Sequence, residues 1–356
     1  MTILAAILGL IALIVIHELG HMLAAKAMGV HVPEFGIGFG PAIIKKKIGK
    51  TVYSFRIILL GGFAKMEGME GMASVEKETG EFGPEAYPSK PAWRRAIIIF
   101  AGPFANLLAA VVIFAVLFMG MSPPTTEVES VVSGSLAEQI GLEEGDRIVS
   151  VDGQEIEDWG QFQQTVNARS PGDEVELAVQ RRGGEREEYS GELTADERSS
   201  DRALVGIQPK LSEETYGPFE ALGLGVEKTF QTIGLFGWFI GQLATGGISF
   251  YDSVSSPIGV VGVSSDVAAQ GAQSFAGLLA LISLNLAVFN LLPILPLDGG
   301  HLFFIAAEKV LGRPVKAETI AKVAAFGLAL ILMLFVFATY ADLSKIFTGQ
   351  PFIPDP

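Results

Sequence analysis

Ile14-Val15-Ile16-His17-Glu18-Leu19-Gly20-His21-Met22-Leu23-Ala24-Ala25 is the stretch on which the reading of this chain turns. Residues 3–16 are aliphatic or glycine without interruption, and the run passes straight into His17-Glu18-Leu19-Gly20-His21. On a helix, positions four apart stack on one face, so His17 and His21 can grip one metal ion. Glu18 lies beside them and can take a proton from water activated at that metal. Ionisable groups inside an apolar span are costly and mark function. A chance HExxH would land on an exposed polar helix. A cleaved leader fits poorly, because no Lys or Arg precedes the run and no small-residue cleavage site follows it.

Working outward, the 356 residues are 49% hydrophobic, with a mean hydropathy of +0.43, too apolar for an ordinary soluble protein of this length. There is no cysteine, which excludes disulfides, thiolate metal sites and a cysteine nucleophile. Any metal is left to His and carboxylate. Four stretches are long enough to span a bilayer: 3–27, 96–120, 275–297 and 323–341. The loop after the first carries Lys45, Lys46, Lys47, Lys50, Arg56, Lys65, Arg94 and Arg95, and the loop after the third carries Lys309, Arg313, Lys316 and Lys322. By the positive-inside rule both face the cytoplasm. The net charge of −14 sits in one segment: residues 122–216 hold 22 acidic and 8 basic residues, leaving 17 of each sign elsewhere. That acidic segment and both termini are then expected outside the cytoplasm, with no sign of nucleic-acid binding.

Residues 126–195 alternate as short strands, with Asp152-Gly153 and Arg182-Gly183-Gly184 as hairpin turns. Their order, around GSLAEQIGLEEGDRIVSVDGQEI, resembles a PDZ domain, a class that commonly binds extended peptides by strand addition. Phe219 to Ala244 is apolar but holds Glu220, Glu227 and Lys228, and reads as an interfacial amphipathic helix or a fifth span; a fifth span would upset the charge argument, so the interface is favoured.

A catalytic zinc takes three protein ligands and keeps an open position. His31, His301 and acids near a span are the candidates for the third. Asp298, in NLLPILPLDGGH (Asn290 to His301), stands at the mouth of an uncharged run, behind two helix-breaking prolines, and is favoured over His301. Gly61-Gly62-Phe63-Ala64-Lys65-Met66, after the alternating Thr51 to Ile57, reads as a membrane-associated β-hairpin whose edge could pair with an unwound substrate.

HELGH, AGPFANLL (Ala101 to Leu108), FGIGFG (Phe35 to Gly40), GGFAKMEG (Gly61 to Gly68) and NLLPILPLDGG together resemble the site-2 protease family of intramembrane zinc metalloproteases. The layout is similar to that of the family's bacterial branch that regulates sigma-E, but with one PDZ-like insertion where the best-known members have two. The resemblance implies Zn2+ held by His17, His21 and Asp298, with Glu18 as base. It also implies that Asn290 hydrogen-bonds the unwound substrate, beside the docking residues Gly61, Gly62 and Phe63. Its substrates would be transmembrane proteins in the lipid bilayer, such as anti-sigma factors or signal-peptide remnants, cut in regulated intramembrane proteolysis.

The expected fold is therefore a polytopic α-helical membrane protein with about four spans. Residues 1–121 hold the first two spans and the hairpin loop, and 122–200 the extracytoplasmic PDZ-like domain. A linker and the interfacial segment fill 201–274, and the last two spans fill 275–350. The expected location is the cell membrane. A non-catalytic PDZ scaffold binding peptide tails would be expected to have lost Glu18 or a ligand. A zinc transporter would want polar residues along the second and fourth spans, which have essentially none.

Overall fold

A computed structural model describes residues 2–69, 82–196, 199–248, 256–313 and 315–348. The chain forms two compact units, Met1–Leu117 with Phe219–Pro356, and Phe118–Pro218. In chain order the helices are α1 (Thr2–Ala27), α2 (Ala92–Met119), α3 (Leu136–Gln139), α4 (Trp159–Asn167), α5 (Pro218–Thr245), α6 (Pro257–Gln270), α7 (Ala272–Asn290), α8 (Asp298–Leu311) and α9 (Ala317–Thr348). The strands are β1 (Glu34–Ile48), β2 (Thr51–Lys65), β3 (Pro124–Val131), β4 (Arg147–Val151), β5 (Gln154–Glu155), β6 (Glu174–Gln180), β7 (Arg186–Glu192), β8 (Thr194–Asp196), β9 (Ser199–Leu204) and β10 (Ile207–Leu211).

Four helices among the described residues are long and apolar enough to cross a membrane: α1, α2, α7 and α9. Their large side chains point outward as readily as inward: Leu8, Leu23, Val116 and Phe326 are all exposed, as surfaces facing lipid should be. α5, with its three charges, is not among the four.

The third span is shorter than expected. α7 stops at Asn290 instead of running to Leu297, because Pro293 and Pro296 cannot continue the hydrogen-bond ladder. A new helix, α8, starts at Asp298. The intervening segment folds tightly against that start. A Cβ at Gly299 would overlap the carbonyl of Leu291, one at Gly300 would press on Leu295 N, and one at Gly327 of α9 would overlap the carbonyl of Leu295. Glycine at these three places lets the backbone close around Asp298.

The expected hairpin is larger than residues 51–66. β1 joins it, and Glu34 pairs with both Val52 and Lys65. Residues 34–37 thus lie between residues 52–55 and residues 62–65, with 62–65 at one edge. The far half exposes Phe39, Ile43, Ile44, Ile48, Ile57 and Ile58 together with Lys45, Lys46 and Lys47.

The second unit has a sheet in the order β10-β3-β4-β6-β7, with β5 against β4, and a separate β8-β9 pair. Leu136, Ile148, Val151, Phe162, Val175, Leu177 and Val179 fill its core. Ser135 caps α3 by accepting from Glu138 N, and Glu138 Oε2 accepts from Gly134 N, a reciprocal cap. Asp152 and Gly153, at φ 49° and 76°, form the expected tight turn. This unit runs from Phe118 to Pro218, and β10 pairs with β3 at one edge of its sheet. Its two ends lie side by side: Ser212 N donates to Pro123 O at 2.9 Å and Tyr216 N to Met121 O at 3.2 Å.

Candidate metal centre

α1 carries His17, Glu18 and His21 on consecutive turns, and both histidines are buried, at 8% and 6% exposure. The start of α8 brings Asp298 to them. Asp298 Oδ2 lies 3.1 Å from His17 Nε2 and 3.4 Å from His21 Nε2, and the two Nε2 atoms are 3.2 Å apart. Ligands about 2.0–2.1 Å from a tetrahedral zinc stand roughly 3.3 Å from one another. The three atoms fit that triangle. Asp298 Oδ2 is moreover buried without a hydrogen-bond partner, as an oxygen reserved for a cation would be. Among the described residues this is the group of three able to hold a metal ion.

α2 forms the wall behind the histidines. The Ile98 carbonyl accepts from His21 Nδ1 at 2.9 Å. One turn on, a Cβ at Gly102 would collide with the His21 ring, so glycine makes the space. One further turn on, the Asn106 amide stands 3.3 Å from His17 Nδ1. Across from these, a Cβ at Gly20 would overlap the carbonyl of Ala101, which fixes how closely α1 and α2 approach. Ser283 of α7 donates to Asn106 O at 2.8 Å and joins the third span to the same place. Positions 98, 102 and 106 are four apart and share one helix face.

Glu18 meets the β-sheet. Its Oε2 accepts from Ala64 N at 3.0 Å, and a Cβ at Gly62 would sit 3.3 Å from its Cγ. The edge residues 62–65 therefore run beside the glutamate. Behind them Arg56 donates to Glu34 Oε1 at 2.7 Å and to Gly40 O at 2.8 Å, and its guanidinium lies over the Phe63 ring. Burial acts to raise the Glu34 carboxyl, but hydrogen bonds from Arg56 and Ser54 outweigh it and hold the group below its ordinary range.

Of the residues expected in the site, His17, Glu18, His21, Asp298 and Gly62 come together. Phe63 packs against Gly36 instead. Gly61 takes φ +133° beside Phe39, a conformation only glycine adopts freely. Asn290 is the half-buried last residue of α7. His301 lies outside the cluster of three, and His31 is bound elsewhere, to Glu67 at 2.8 Å and to the Lys50 carbonyl. The sequence assigned no site role to Asn106, the Ile98 carbonyl, Gly102 or the Ala64 amide. Only AGPFANLL carried a signal, the spacing of Gly102 and Asn106.

Comparison with known proteins extends this to nearly the whole chain. A Fusobacterium nucleatum protein with a provisional zinc-metalloprotease name is 34% identical over 357 residues, covering 98% of this chain and 100% of the relative. Zinc metalloprotease RasP of Geobacillus kaustophilus is 27% identical over 413 residues, covering 94% and 96%. The PDZ domain of an SdrC-like protein from Listeria innocua is 28% identical and covers 25% of this chain and 98% of its own, with a TM-score of 0.23. The profile of Peptidase family M50 matches residues 5–334, from within the first span to within the last. The chain therefore belongs to peptidase family M50, the site-2 protease type of membrane-embedded zinc metalloendopeptidase.

Proposed function

We propose that His17, His21 and Asp298 hold the zinc, that Glu18 is the general base, and that the chain cuts the transmembrane segments of other membrane proteins. The observation that carries this is the triangle of Nε2, Nε2 and Oδ2 atoms at 3.1–3.4 Å beside a glutamate tied to a sheet edge. Bound zinc supplies a Lewis acid that activates water near neutral pH and polarises a peptide carbonyl. Glu18 takes the proton from the attacking water and passes it to the departing amide nitrogen. The Ala64 N–H holds one carboxylate oxygen and leaves the other for the proton.

A helical substrate hides its amides, so it must unwind before attack. Residues 62–65 offer an edge along which the unwound strand can lie, with Gly61, Gly62 and Phe63 as the residues assigned to docking it. Asn290, at the end of α7, is assigned a hydrogen bond to that strand. The substrates are single-span regulators such as anti-sigma factors, or signal-peptide remnants, released by regulated proteolysis. The acidic second unit faces away from the cytoplasm and screens substrates by bulk.

Co-expression of the wild-type chain and Glu18→Gln with a panel of single-span membrane proteins tests the reading. Glu18-dependent shortening of at least one of them is expected. Equal shortening by both forms would remove the assigned base. A cysteine placed at the exposed Glu185 in this cysteine-free chain should react with an impermeant reagent from outside only.

A further inference from the structure

His17 turns Nε2 toward Asp298 and Nδ1 toward Asn106. A neutral imidazole carries one proton, and only the bare nitrogen can ligate. With zinc held as proposed above, the bare nitrogen is Nε2 and the proton sits on Nδ1. His21 shows the same arrangement without ambiguity. Its Nδ1 faces the Ile98 carbonyl, which can only accept, so its proton is fixed on Nδ1.

Among the described residues, His17 Nδ1 faces a side chain instead of a main-chain carbonyl. That side chain is Asn106, fully buried at 0% exposure. Nδ2 of that amide stands 3.3 Å from His17 Nδ1, while its Oδ1 is buried with no partner. An N–H set against an NH2 group satisfies neither. A half-turn of the carboxamide exchanges its two ends, so that Oδ1 faces the His17 proton as an acceptor and the NH2 takes the place that Oδ1 held. The backbone around it stays in place, since Ser283 holds the Asn106 carbonyl at 2.8 Å.

We propose that Asn106 is the positioning residue of His17: its Oδ1 accepts the Nδ1–H and selects the tautomer whose Nε2 is free for zinc. The inference rests on the zinc assignment, and the test separates the two. Zinc affinity of the full-length purified protein is measured by competition with a chelator, alongside the visible spectrum of the cobalt-substituted protein. Asn106→Leu keeps the size and removes the acceptor, and should weaken zinc binding about 10–100-fold and alter the cobalt spectrum. Asn106→Asp offers acceptors only, and should bind zinc at least as well as wild type. Full affinity in Asn106→Leu would overturn the proposal, as would Asn106→Asp losing zinc alongside it. His17→Ala retaining wild-type zinc affinity would instead overturn the ligand assignment itself.

Discussion

At the scale of single residues the ligands and the base part company by experiment. Asp298→Ala should strip zinc as His17→Ala does, because the triangle keeps only two corners. Glu18→Gln should hold zinc at full content and lose turnover by about 10²–10⁴-fold, the usual cost of a missing general base. Metal analysis beside a cleavage assay checks both, and full zinc in Asp298→Ala would take it out of the ligand set. His17, Glu18, His21 and Asp298, which the structure brings together, stood out in the sequence because an ionisable group in or at the mouth of a lipid-length apolar run is costly. Asn106 was not legible, because an amide between helices has an ordinary packing role. The Ile98 carbonyl could not have been legible at all, since every residue has one.

At the scale of elements, the edge strand and the β3–β10 pair each give a test. The Ala64 N–H points at Glu18, so Ala64→Pro removes that hydrogen bond. Zinc content should stay, while cleavage of a single-span substrate falls at least tenfold; unchanged cleavage would end the claim that this edge serves the site. In the β unit Lys210 Nζ lies 2.7 Å from Glu127 Oε1, and that hydrogen bond holds the Glu127 carboxyl below its usual 4.5. A lowered folded-state pKa gives a contribution present in full above about pH 4.5 and lost as the pH falls through the lower folded value. Protection of the backbone amides of β10, taken relative to their intrinsic exchange rate at each pH, should therefore fall below that pH, and Glu127→Gln should remove the pH-dependent part. The spans and tight turns were readable from apolar length and from Asp-Gly pairs. The order of runs in the β1–β2 sheet was not, because residues 62–65 pair with a segment far upstream and no alternation announces it. The end of α7 was misplaced by hydropathy, which does not see that proline ends a helix inside a run that remains apolar.

At the scale of the whole molecule, the β unit is an insertion whose ends meet. Joining residue 123 to residue 212 by a short linker replaces a contact already 2.9 Å long. The shortened protein should fold, bind one zinc per chain and cut full-length proteins that the intact form leaves alone. A shortened protein that holds zinc yet fails on a pre-trimmed substrate would show that the insertion takes part in catalysis. β10 was not legible as part of this unit, since it is separated from its partner β3 by the whole domain and carries no signal of pairing on its own.

The support for His21 comes from main chain and the support for His17 from a side chain, and heredity treats the two differently. One codon change can take away the amide at position 106. No codon change takes away the oxygen at position 98, because all twenty amino acids keep it. A saturation survey of this helix should therefore score position 98 as permissive to any residue that packs. The His21 side of the site would then show its fragility one turn along, at Gly102, where even a methyl group strikes the ring.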